Sequence, residues 1–147
     1  MITNEITLNG IRDDGIRILI KQIHTEPDLK FTGYEDCRGR ITIRSGPFCA
    51  EDAPLWTSVN SLRRFCAELE ECFRTLSGTA GHETYENNLA LTVTMTSAGH
   101  GLVRGTFKPD MTEDNALQFT YETDQTCISE TIRGLRRFLN DVDETLL

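Results

Sequence analysis

Absences narrow this sequence first. It has no apolar run approaching the ~20 residues that cross a bilayer. The N-terminus, MITNEITLNGIRDDG, has no basic segment followed by an apolar core, which predicts no secretory signal and a cytoplasmic location. No C-x-x-C occurs among the five cysteines at 37, 49, 66, 72 and 127. That odd number argues against a disulfide framework or a zinc site. Free, buried thiols in a reducing cytosol are the expectation. Positive charge is in deficit: 15 basic against 23 acidic residues, a net −8. A free-standing nucleic-acid binder needs the opposite balance to neutralise phosphates, so neither nucleic acid nor an anionic membrane is an expected partner. A basic protein is, because complementary fields speed encounter.

Catalytic signatures are missing too. None of His24, His82 and His100 sits in an H-E-x-x-H or other metal spacing. No G-x-S-x-G nucleophile elbow occurs. Gly99-His100-Gly101 precedes a strand pattern, not a helix, and lacks the phosphate-binding glycine spacing. The acidic pairs have no EF-hand spacing. No catalytic residue, cofactor or metal follows, and the chain is not expected to be an enzyme.

Amphipathic periodicity is present. From Ser58 to Gly78 the residues Val59, Leu62, Phe65, Cys66, Leu69, Cys72, Phe73 and Leu76 recur every three or four positions. That repeat puts one apolar stripe on a helix over about residues 58–77. Thr57, Ser58 or Ser61 can cap its start, and Gly78 can end it. A second stripe, Ile128, Ile132, Leu135, Phe138, Leu139, Val142 and Leu146, predicts a helix over about 126–144, with Asp124 or Thr126 as cap. Gly134 inside it costs roughly 1 kcal/mol against alanine, which a close approach to a neighbouring element would explain.

Strand patterns fill most of the rest. They cover Ile2–Leu8, Gly15–His24, a weaker Leu29–Tyr34, Arg40–Arg44 with one basic face, a weak Glu83–Tyr85, Leu89–Thr96, Leu102–Phe107 and Leu117–Glu122. Ser97–Gly101 is turn chemistry for a hairpin. Ser45–Trp56, with Gly46, Pro47, Pro54 and Glu51-Asp52, reads as a loop into the first helix. Its Trp56 reads as a packed anchor, and His82 as a loop residue. The order is strands, helix, strands, helix. It predicts one α+β domain over 1–147, mostly an antiparallel sheet of about seven strands with the two helices packed on it.

One resemblance goes further. The helix pattern Leu62, Phe65, Leu69, Phe73, Leu76 and Gly78 is followed by Leu89-x-Leu91-x-Val93, Gly99-His100, Leu117-x-Phe119-x-Tyr121, Asp124-Gln125-Thr126 and the last helix. From about Trp56 to Leu139 this resembles the WapI-like immunity proteins of bacterial toxin–immunity systems, including contact-dependent growth inhibition. The resemblance implies a stoichiometric inhibitor that covers a cognate toxin's C-terminal domain in the cytoplasm and catalyses nothing. Many such toxins are nucleases with basic clefts, and a −8 partner suits one. A docking face of acidic turns with an aromatic anchor is then expected. The candidates are Asp13, Asp14, Glu35, Asp36, Glu51, Asp52, Asp110, Glu113 and Asp114, with Tyr34 as the anchor. The alternative is a small β-rich ligand-binding or assembly module with no toxin partner.

Overall fold

The computed structural model describes residues 4–24, 36–84 and 86–146. The expected strand Leu29–Tyr34 lies outside them. Eight strands and two helices follow in the order β1 (Asn4–Asn9), β2 (Gly15–Ile23), β3 (Cys37–Ser45), β4 (Phe48–Thr57), α1 (Val59–Thr75), β5 (Gly78–Glu83), β6 (Leu89–Met95), β7 (His100–Phe107), β8 (Leu117–Asp124) and α2 (Gln125–Leu146). The chain is α+β and mostly sheet. The strands form two antiparallel meanders, β1-β2-β3-β4 and β5-β6-β7-β8, where the periodicity suggested a single layer.

Alternation does most of the sorting. Ile6, Leu8, Ile16, Ile18, Ile20, Ile41 and Ile43 point inward from the first sheet. Leu89, Leu91, Val93, Val103, Phe107, Phe119 and Tyr121 do so from the second. Leu62, Phe65, Leu69, Ile128, Leu135, Phe138 and Leu139 of the helices complete the same core. Each such side chain contributes roughly 1.5–3 kcal/mol by leaving water. The sheets are tied directly where β8 crosses the ends of β1 and β3. The Tyr121 hydroxyl donates to the Leu8 carbonyl, and Thr123 Oγ1 donates to the Asn9 carbonyl at 2.8 Å. The Ser45 hydroxyl donates to the Thr120 carbonyl at 3.0 Å.

The helices also guard sheet edges. Along β5, Glu68 of α1 accepts the Gly81 N–H at 2.9 Å, and Ser61 donates to the Glu83 carbonyl at 3.0 Å. Along β1, Thr131 of α2 donates to the Thr7 carbonyl at 2.6 Å. Gly134 sits beside it: a Cβ there would lie 3.4 Å from the Glu5 carbonyl oxygen and 3.8 Å from the Ile6 Cα. The close neighbour that this glycine implied is thus β1. Unpaired strand edges invite pairing with other chains, and both helices remove that opportunity.

Three expectations change. Ser45–Trp56 is not a loop: only Gly46-Pro47 turns, and β4 begins at Phe48. Gly46 takes φ 61°, which the first position of a two-residue type II′ turn reserves for glycine. Alternation fails in β4 because it bulges. Ile41 pairs with Ala53 and Ile43 with Ala50, so Glu51 and Asp52 together face Thr42. Asp52 has φ 48°, and its N–H is held by Thr42 Oγ1 at 3.0 Å. Next, the weak strand expected at Glu83–Tyr85 is β5 at Gly78–Glu83, and it carries His82. Finally, α1 ends on Leu76, which takes the left-handed conformation at φ 52° in place of Gly78.

Candidate functional site

A groove of about 850 Å³ lies between the β3–β4 turn and the outer face of the second sheet. Its floor is formed by Ala90 and Thr92 of β6, Arg104 and Thr106 of β7, and Gln118 and Thr120 of β8. These are the residues that alternate away from the core, in the cross-strand rows Ala90–Thr106–Gln118 and Thr92–Arg104–Thr120. The wall is Gly46, Pro47 and Phe48. Phe48 is 64% exposed, the most exposed large apolar side chain among those described. Sequence reasoning missed it, because a residue assigned to a loop has no facing direction.

The acidic candidates separate around this groove. Asp14 lines it, and its Oδ1 accepts the Gly46 N–H at 2.9 Å, which fixes the β1–β2 turn against the β3–β4 turn. Asp13 is exposed on the same turn. Asp110, Glu113 and Asp114 are exposed in the β7–β8 connection, which leaves the sheet one pair beyond the Thr106–Gln118 row. Asp110 is shaped by Thr112, whose N–H and hydroxyl both donate to it and hold its carboxyl below the usual range.

The remaining candidates do other work. Asp36 accepts the Val59 N–H at 2.8 Å and so caps α1, together with Ser58, which accepts the Ser61 N–H at 3.0 Å. Asp52 is paired with Arg40 at 3.1 Å, which lowers its carboxyl, and Glu51 lies 4.0 Å from Arg44. These two carboxylates belong to the outer face of the first sheet and are not free turn tips. Tyr34 and Glu35 lie outside the described residues. Asp124 is a cap as expected: it accepts the Cys127 N–H at 2.9 Å, which holds its carboxyl low.

The outer face of the first sheet is unlike the rest of this acidic chain. Arg17 and Lys21 of β2 and Arg38, Arg40 and Arg44 of β3 all project from it, a third of the basic residues. At one end Trp56 is 38% exposed, stacked on His24 with ring centroids 5.8 Å apart. The Arg38 guanidinium lies 5.0 Å over the indole, a cation–π contact. Trp56 therefore packs locally and still offers an edge to solvent. A smaller depression lined by Asp13, Asp14, Arg17, Arg44 and Glu51 joins this face to the groove's acidic rim.

One buried polar array resembles a nucleophile–base pair. Ser61 donates to the Glu83 carbonyl, so its oxygen accepts from His82 Nδ1–H at 3.2 Å. His82 Nε2 is then bare and accepts from the Thr57 hydroxyl at 3.1 Å. The imidazole is 1% exposed, and burial pushes it down to about 4. A base that weak, closed to solvent, whose serine proton is held by a carbonyl, is a structural link between β4, α1 and β5. Among the described residues no group of three or more His, Cys, Asp or Glu is placed to hold a metal ion. No helix of the described residues is long and apolar enough to cross a membrane.

The family model described as Immunity protein WapI-like family matches residues 7–143. The match extends over β1–β4, well beyond the stretch from Trp56 to Leu139 that carries the sequence resemblance. No curated protein matches the chain.

Proposed function

The chain belongs to the WapI-like immunity protein family, and from that premise we propose that it binds and neutralises a cognate bacterial toxin domain by occlusion, in the cytoplasm, without catalysis. The groove under Phe48 is the docking site. Its wall offers an exposed aromatic of the kind that dominates interface energetics. Asp13 and Asp14 at its rim and Asp110, Glu113 and Asp114 at its end supply negative charge at two positions. A basic, phosphate-seeking cleft complements that arrangement, so the toxin is a nuclease. The family match is the observation that carries the reading, and the exposed Phe48 on a concave wall supports the location.

Co-expression with the C-terminal domain of the toxin encoded directly upstream tests it. The expected result is restored growth and a co-purifying complex. Phe48→Ala should weaken binding by about 2 kcal/mol, roughly thirty-fold in Kd by calorimetry. Asp110→Lys with Asp114→Lys should slow association most at low salt. An undiminished affinity in both variants would remove the groove as the site. The groove's volume also favours a second reading, a ligand-binding module, since small-molecule sites run roughly 300–1,000 Å³. A protein that ignores the toxin yet melts higher with a small molecule would establish it.

A further inference from the structure

We propose that the outer face of the first sheet is a second docking surface, which receives an acid-dominated patch of the same toxin domain. The inference rests on the toxin-binding reading and adds to it a surface of opposite sign. Alternate residues on a strand lie ~7 Å apart. Arg38, Arg40 and Arg44 therefore form a rank along β3 about 20 Å long. Arg17 and Lys21 stand on the adjacent strand, where their charges reach Asp52. Among the described residues no carboxylate lies within ion-pair distance of Arg17, Lys21 or Arg38.

Charge decides the occupant. The Debye length at physiological salt is about 8 Å, so this face acts locally despite the net −8 of the chain. Three carboxylates stud it: Glu5, in register with Leu19, and the bulge residues Glu51 and Asp52. Arg44 and Arg40 already answer the last two, and a phosphate backbone carries no cation to answer Glu5. A protein surface does, wherever a few lysines or arginines sit among its acids. Trp56, half open beside Arg38, gives such a surface an aromatic edge to pack on. The depression from Asp13 and Asp14 to Arg17 and Arg44 makes the two docking surfaces continuous. A bipolar face also discriminates: a foreign toxin whose contact surface is uniformly basic meets the arginine rank and is repelled.

The triple charge reversal Arg17→Glu, Lys21→Glu, Arg38→Glu leaves the ion-paired Arg40 and Arg44 in place. Calorimetry and stopped-flow against the upstream-encoded toxin domain should show at least about tenfold weaker binding and slower association than wild type. The alanine triple at the same positions should lose about threefold, and it carries the test if the reversal fails to fold. A 20-nucleotide single-stranded RNA should bind neither wild type nor variants. Toxin affinity unchanged in a folded triple variant overturns the second surface and leaves the groove reading standing. RNA binding by wild type that the reversal abolishes overturns it in favour of a nucleic-acid face. A wild type that does not bind the toxin at all overturns both readings.

Discussion

His82 makes stability depend on acid. Its folded value near 4 lies below the ordinary 6.5, because burial disfavours the charged ring. The unfolded chain therefore binds the extra proton first as pH falls. Stability contributed by the neutral ring is full above pH 6.5 and is lost between 6.5 and about 4. The loss is on the order of 3 kcal/mol. Urea midpoints at pH 7 and pH 4.5 should show it, and His82→Phe should flatten the slope while lowering the pH 7 value. Among the thiols, Cys49 is exposed while Cys37, Cys66 and Cys72 are buried. A thiol reagent should modify Cys49 first and reach the buried three only on unfolding. Neither residue was placed by its neighbours in sequence. A histidine and a cysteine that both fall in stretches read as loops give no sign of burial or exposure until the strand that carries each is known.

Caps and stripes were legible because each is a local demand. The helix at about 58–77 is α1, and its stripe is buried from Val59 to Cys72, while the last two members, Phe73 and Leu76, are exposed. The helix at about 126–144 is α2. The capping serine at 58 could be named from the sequence, but the second cap could not. Asp36 reaches Val59 from 23 residues away, and no local pattern encodes that distance. Asp36→Ala should therefore cost about 1 kcal/mol of stability and leave toxin affinity unchanged, the reverse of a docking residue. Gly134 separates fit from freedom. The space beside β1 admits one methyl at contact distance, so Gly134→Ala should be neutral or gain up to about 1 kcal/mol in a thermal melt. Gly134→Val should lower the melting temperature by pushing α2 off β1. Strand β4 was illegible because its outward residues, bulge and Pro54 are what an exposed edge strand uses to avoid pairing.

For the whole molecule, the fold class was readable and the division into two sheets was not. Alternation assigns a strand an inner and an outer face without saying which strands share a sheet. The ten candidate docking residues suffered from the same limit: turn chemistry marked Asp13, Asp14, Asp110, Glu113 and Asp114 correctly as turn residues, but it could not see that Asp52 faces Arg40 across a ladder. The charge pattern is also a property of the assembled sheets. Two paired strands, β2 and β3, place five cations on one side, while composition reports only an acidic average. Cross-helix pairs Arg63–Asp143 and Arg136–Glu70 hold α2 to α1 at the surface. Exposed pairs of this kind contribute roughly 0–1 kcal/mol each, so 0.5 M salt should change the urea midpoint little while slowing toxin association markedly.

The tether between Thr131 and Thr7 spans 124 residues. Because α2 follows β1 in the chain, during synthesis the β1 edge stays bare until its helical cover has been translated. A chain that stalls before α2 therefore presents that edge to any strand it meets.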